Sequence, residues 1–184
     1  MIDYSDDNLL ERFRDESSRE DAFNVIVSRY KERLYWHIRR MVMVHEDADD
    51  VLQNTFLKAW KGIETFRGEA QLYTWMYRIA TNESVTFLNQ KRNKQTMPME
   101  DAEHLLSNSL HHDAYFSGDE LQKELQKAIL TLPEKQRIVF NMKYFEEMPY
   151  EDISEILGTS VGSLKASYHH AVKKIKDWFN LDNS

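Results

Sequence analysis

No part of this chain constrains its fold more than the stretch from Pro149 to Lys165, PYEDISEILGTSVGSLK. Ile153, Ile156 and Leu157 stand at i, i+3 and i+4, the spacing of one buried helical face. Gly158 can take the left-handed conformation that ends a helix. Ser160 supplies a hydroxyl suited to capping the next one. The stretch therefore reads as a short helix, a tight turn and a second helix. From Ser160 to Lys176 that second helix carries Lys165, Lys173, Lys174 and Lys176 and no acid, in a chain of formal net charge -7. A basic helix after a tight turn is the arrangement of a helix-turn-helix that meets DNA phosphate. A plain helical hairpin in a bundle satisfies the same spacing, so the motif alone leaves both open.

The acidic balance argues against a general nucleic-acid coat. Any DNA contact has to be local and basic, with another large partner supplying part of the affinity. A length of 184 residues suits one or two domains with a real core. Five glycines and three prolines in a charged, Leu/Ile/Met-bearing chain point to an all-α protein. Zero cysteines exclude disulfides and thiolate metal sites and fit a reducing compartment. No apolar run is long enough to span a bilayer, and Met1 to Asp6 lacks the basic and apolar parts of a signal peptide. The chain thus reads as cytoplasmic, with no direct membrane insertion.

Two helical blocks flank a polar connector. In the first, residues 1–93, Asp6 or Ser5 can cap a short helix bearing Leu9, Leu10 and Phe13. A second helix starts near Arg19, with Phe23, Ile26, Tyr30, Leu34, Ile38 and Met41 at helical spacing. Further helices are expected from about Glu46 to Lys61 and from about Leu72 to Lys91. The connector, residues 94–118, has little periodicity. From Glu100 to Glu124 it and the following turn hold seven acids against Lys123 alone. So long a segment without elements is uncommon inside a compact domain and reads as a flexible acidic linker. The second block, residues 119–184, contains the helix-turn-helix.

On the third helix, Ala48, Leu52, Thr55, Phe56 and Ala59 share the buried side, while Asp47, Asp50, Gln53 and Asn54 lie opposite. Leu57 falls on that wet side. An apolar residue among acids and amides resembles a small interface with a charged rim. Taken alone, a solvated face with one stray Leu is the commoner arrangement. The fourth helix carries Tyr73, Trp75, Met76, Tyr77, Ile79, Phe87 and Leu88, follows the loop from Phe66 to Gln71, and ends in Lys91-Arg92-Asn93-Lys94. Aromatics beside a basic helix end can stack unpaired bases and neutralise adjoining phosphates. Gly68 lets the loop fold back, and Asn82 offers a donor and an acceptor to a base edge. Aromatics at this spacing are usually core, and Trp75, Ile79 and Leu88 are assigned mainly to packing.

The order of these parts resembles the extracytoplasmic-function (ECF) sigma factors of bacterial RNA polymerase. Glu46 to Trp60 (EDADDVLQNTFLKAW) resembles the family's polymerase-clamp helix. Phe66-Arg67-Gly68 and Tyr73 to Asn82 (YTWMYRIATN) resemble its promoter-melting segment. Leu130 to Arg137 (LTLPEKQR), with the helix-turn-helix after it, resembles its fourth region. The resemblance implies that Asp47, Asp50, Gln53, Asn54 and Leu57 meet the β′ clamp helices of core RNA polymerase, and that the second domain lies near the β flap. It implies minus-10 DNA contacts from Phe66, Arg67, Gly68, Leu72, Trp75, Asn82, Thr86, Lys91 and Arg92. Asn82 and Thr86 match family positions that face a flipped base of the non-template strand. The minus-35 contacts fall to Lys165, Ala166, His169, His170, Lys173 and Lys174. Lys165 could reach a guanine and Ala166 a thymine methyl, and Lys173 and Lys174 suit phosphate contacts. The linker is implied to run toward the RNA exit path. An anti-sigma factor is an implied partner.

The chain departs from the family pattern at three places. After Asn82, where an Asp and then Arg residues are common, it has Thr86, Asn89 and Gln90, with positive charge delayed to Lys91. The turn reads Val161-Gly162-Ser163-Leu164-Lys165 where Val-Gly-Thr-Val-Lys or Val-Gly-Thr-Val-Arg is frequent. His169-His170 replaces residues that are often aromatic and arginine. These are sequence-reading positions, so promoter identity stays open. Adjacent helix residues point about 100° apart and no third ligand type stands nearby, so the histidines imply no metal. No cofactor is implied either. Two other classes share some features. A sigma-like decoy for an anti-sigma factor would not need an intact basic helix, and a stand-alone helix-turn-helix repressor would not need the clamp helix. An enzyme fits least, since there is no Gly-rich phosphate loop, nucleophile-base set or metal spacing.

Overall fold

The computed structural model describes residues 5–95 and 120–180. The linker expected at 94–118 lies almost wholly outside the described residues. Every regular element among them is helical: α1 (Asp6–Arg14), α2 (Arg19–Val42), α3 (His45–Gly62), a 3-10 turn (Ile63–Thr65), α4 (Leu72–Gln95), α5 (Glu120–Leu130), α6 (Glu134–Tyr144), α7 (Tyr150–Leu157) and α8 (Val161–Trp178). None of these helices is long and apolar enough to cross a membrane.

The Ser5 hydroxyl caps α1 by accepting from the Asn8 N–H, which turns Leu9, Leu10 and Phe13 inward. The Phe13 ring meets Trp60 edge-on, with centroids 5.1 Å apart, and tilts against Phe23 at 5.9 Å. α2 ends where Met43 takes a left-handed φ of 67° and its N–H returns to the Arg39 carbonyl. A side chain rarely adopts that φ. Met43 is fully buried, and this packing holds the conformation in place. The turn lays α3 back along α2, and α4 packs against both.

A buried histidine joins α2 to α4. His37 Nε2 lies 2.9 Å from the Thr81 hydroxyl, whose own hydrogen goes to the Tyr77 carbonyl at 2.7 Å. A hydroxyl has one hydrogen, so His37 must donate from Nε2 and leave Nδ1 bare. Nδ1 is buried with no hydrogen-bond partner. Protonating it would bury an N–H⁺ with no acceptor. Burial, aided by the nearby Arg40 cation, therefore lowers the His37 pKa to about 3.

In the second domain, Ala128, Ile129, Leu132, Phe140, Ala171 and Ile175 form a small core among α5, α6 and α8. Leu125, Val172 and Phe179 pack against it, but other buried apolar residues of this domain join a different core. Ile138, Val139 and Met142 of α6, Met148, and Ile153 and Ile156 of α7 belong to the cluster that fills the first domain. The buried face of α7 thus packs against α4 of the first domain. Two domains are present, but they are docked.

Candidate functional site

Three exposed faces carry the residues singled out by the sequence. On α3, Ala48, Val51, Leu52, Thr55 and Ala59 are buried, which leaves Asp50, Gln53 and Asn54 in solvent. Leu57 is 53% exposed beside them. Asp47 differs from the expectation of an open polar face. It is half-buried, and its Oδ2 accepts from Lys91 Nζ at 2.5 Å. Lys58 likewise pairs with Glu83. Two ion pairs thus tie α3 to α4, and one uses an acid assigned to polymerase together with a lysine assigned to DNA.

The second face begins at the loop after the 3-10 turn. Gly68 has φ of 70°, where a side chain would be strained. It and Arg67 are exposed. Phe66 and Leu72, expected at the DNA, are 7% and 2% exposed. The Phe66 ring packs 5.1 Å from Trp75, itself half-buried. A Cβ on Gly62 would stand 3.1 Å from the Trp75 ring, so glycine is what lets the indole lie against α3. These corrections share one cause. The three apolar side chains fix the loop against the core, and in this arrangement Phe66 and Leu72 present almost no surface to a base. Asn82 and Thr86 are exposed one turn apart on α4, and Asn89 and Asn93 continue the strip. The sequence reading had not assigned those two asparagines. Arg92 donates to Asn89 and lies 4.0 Å from Glu134.

The third face is the outer half of α8. Gly158 caps α7 with φ of 61°. Ser160 starts α8 by accepting from the Ser163 N–H at 3.3 Å. Leu164, Ala171 and Ile175 point inward, and the Tyr168 ring stacks on Phe140 at 5.8 Å. Lys165, Ala166, His169, His170, Lys173 and Lys174 all lie on the opposite half and are exposed. The Lys165 ammonium stands 5.7 Å from the centre of the Tyr150 ring, a cation-π contact that holds it at the start of the helix. The face can present direct donors and positive charge to a groove.

Comparisons with known proteins agree with this division. A model of Sigma-70 region 2 matches residues 26–94, and one of Sigma-70, region 4 matches residues 122–175. The chain is 32% identical over 182 residues to the ECF RNA polymerase sigma-E factor of Haemophilus influenzae, with 94% of each chain covered. The chain belongs to the ECF RNA polymerase sigma factors. It is also 30% identical to the RNA polymerase sigma-H factor of Pseudomonas aeruginosa, over 92% of this chain and 91% of that one. Two solved structures share the fold. The sigma factor RpoE of Bartonella quintana, in complex with the anti-sigma factor NepR, has a TM-score of 0.68 at 21% identity, covering 88% of this chain and 98% of that one. CnrH, in complex with the cytosolic domain of CnrY, has a TM-score of 0.71 at 20% identity, covering 98% and 100%.

As a member of this family, the sigma factor directs RNA polymerase to promoters for transcription initiation. Among the described residues, the structure brings Asp50, Gln53, Asn54 and Leu57 together on one open face, and the α8 set on another. It does not bring Phe66 or Leu72 to a free surface, and it pairs the half-exposed Lys91 with Asp47. The sequence reading missed the residues that join the two domains, chiefly Arg40 and Glu146. Their separation of 106 residues leaves no local signal.

Proposed function

We propose a residue-level division of labour for this sigma factor. Residues 1–93 form the domain for core binding and the minus-10 element, 94–118 the linker, and 119–184 the domain for the minus-35 element. Asp50, Gln53, Asn54 and Leu57 of α3 bind the β′ clamp helices of core RNA polymerase, with Asp47 at the edge of that face. The second domain lies against the β flap. Arg67, Gly68, Asn82 and Thr86 receive an unstacked base of the non-template strand, and Lys91 and Arg92 neutralise the adjoining phosphates. On α8, Lys165 and Ala166 read base edges with His169 and His170 beside them, and Lys173 and Lys174 hold phosphate. The protein works in the cytoplasm, and an anti-sigma factor is its regulator. RpoE, which shares the fold, is bound to an anti-sigma factor, and CnrH is bound to the cytosolic domain of CnrY.

The observation that carries this reading is the exposure of Leu57 among Asp50, Gln53 and Asn54. A helix-turn-helix protein acting alone has no use for that face. The test is run-off transcription from a promoter library with core polymerase, comparing wild type with Asp50→Arg/Leu57→Ala. Wild type should initiate at a defined promoter set. The double variant should keep its helicity and bind core at least about tenfold more weakly, because it loses an interface anchor and reverses a rim charge. Unchanged core binding by the variant removes α3 from the interface. A wild type that never initiates favours a sigma-like decoy.

A further inference from the structure

Glu146 stands in the turn between α6 and α7, next to Glu147 with its left-handed φ of 53°. The turn is pinned to α6. The Met148 N–H donates to the Met142 carbonyl at 3.1 Å, and Lys143 Nζ donates to the Met148 carbonyl at 2.9 Å. So aimed, the Glu146 side chain enters the first domain and is only 9% exposed. Its Oε1 accepts from Arg40 Nη1 at 2.5 Å, and its Oε2 accepts from the Tyr77 hydroxyl at 3.1 Å. The Arg40 guanidinium lies over the Phe145 ring, 4.5 Å from its centre. Alongside, Arg78 Nη2 donates at 2.6 Å to the Glu155 carbonyl in the last turn of α7. Carbonyls there lack intrahelical partners, and the helix dipole favours a cation.

This arrangement limits what the docked chain can read. The minus-10 and minus-35 elements are centred about 25 base pairs apart, or about 85 Å at about 3.4 Å per pair. Asn82 is one helical turn from Arg78, and Lys165 is ten residues from Glu155. Even a fully extended chain from Glu155 places Asn82 and Lys165 no more than about 55 Å apart. The docked sigma factor cannot hold both elements. The buried pair also differs in kind from the apolar contact around it. Its Coulomb attraction offsets desolvation only while both partners are in place, so removing either one leaves a buried charge unpaired and favours opening. Both groups regain water on release, which makes the contact reversible.

We propose that Glu146 is a self-closing latch: it holds the second domain on the first through Arg40 and Tyr77 in the free chain, and must release before both promoter elements are read. This rests on the assignment of α4 and α8 to two separate elements.

The chain has no cysteine, so thiols placed at Glu20→Cys and Asp177→Cys are sole labelling sites for energy transfer in the full-length protein. Both positions are exposed and lie outside the proposed interfaces. Glu146→Gln, which keeps the side-chain shape, should shift the closed–open balance toward open by about tenfold. Arg40→Ala should open the chain as well, and the double variant should open no further than the stronger single, because the two groups act as a pair. Wild-type transfer in both single variants, or fully additive opening in the double, overturns the latch. Half-maximal run-off should then need about tenfold less of the Glu146→Gln protein. An equal requirement for both proteins, with wild type active, overturns the idea that closure restrains this sigma factor. The transfer measurements use neither polymerase nor DNA, so a wild type inactive in run-off fails the functional reading separately.

Discussion

α4 and α8 are both assigned to DNA, yet they meet solvent in different ways. α8 buries one narrow stripe, Leu164, Ala171 and Ile175, and leaves Lys165, Ala166, His169, His170, Lys173 and Lys174 open. α4 is covered by α2, α3 and α7. Leu72, Thr74, Met76, Tyr77, Ala80, Thr81 and Ser84 are all buried along it. Among the described side chains, the exposed ones form a strip of amides and a hydroxyl: Asn82, Thr86, Asn89, Gln90 and Asn93. Of the aromatics that suggested base stacking, Tyr77 is fully buried and helps to seat the helix. Tyr77 is held by Glu146, and burial together with that carboxylate raises its phenol well above the ordinary range. Tyr73 is pushed up to about 12, first by burial and then by Asp152. A helix covered on one side shows its surface chemistry in its sequence. A helix covered on three sides does not.

The largest effect that could break this contrast comes from Phe66→Ala. If the ring is core, truncation should cost about 3–5 kcal/mol of stability, and promoter melting should fall only with the folded fraction. Urea unfolding beside permanganate footprinting separates the two. Normal stability with lost melting would return Phe66 to the DNA.

The sequence made the helices legible because each carries its own spacing and stops. The Ser5 cap, the start at Arg19, and the Gly158 and Ser160 pair at the turn all stand as read. α4 runs on to Gln95 rather than ending near Lys91, since no glycine or proline interrupts it before Pro98. The outer half of α8 was legible for the same local reason. The pairing of Asp47 with Lys91 was not, because it depends on how α3 crosses α4. Nor was the docking of α7, whose stripe promises a buried face without naming what covers it. Local spacing specifies that a residue is buried, and tertiary placement decides against what.

His37 sharpens the contrast next, because the same side chain is sealed between α2 and α4 but open at His169 and His170. With a folded pKa of about 3 against 6.5 unfolded, folding excludes a proton that the unfolded chain takes up. Its stability contribution is therefore complete above pH 6.5 and is lost as pH falls toward 3, at about 1.4 kcal/mol per pH unit. Its ring faces Tyr77, with centroids 5.0 Å apart, and Thr81, with Arg40 nearby. Urea midpoints from pH 7 to pH 4 should fall less steeply in His37→Gln than in wild type. Parallel slopes would mean that the imidazole protonates inside the fold, and that α4 is less sealed than it looks.

The smallest effects test the open side, on α8 itself. Lys165→Ala should cost about 1–3 kcal/mol at one minus-35 base pair and relax discrimination there, if its ammonium meets a guanine. Tyr150 bears on this, because the ring steadies Lys165 near the helix start, where a recognition helix enters the groove. Lys173→Ala should weaken all minus-35 sequences about equally and lower the salt slope by about one phosphate. Both variants should be measured in holoenzyme, since the free chain is acidic and docked. A minus-35 library gives the pattern for each. Uniform losses in both would make Lys165 a phosphate contact. The α8 face would then position the sigma factor without reading sequence through that lysine, leaving Ala166, His169 and His170 to do so.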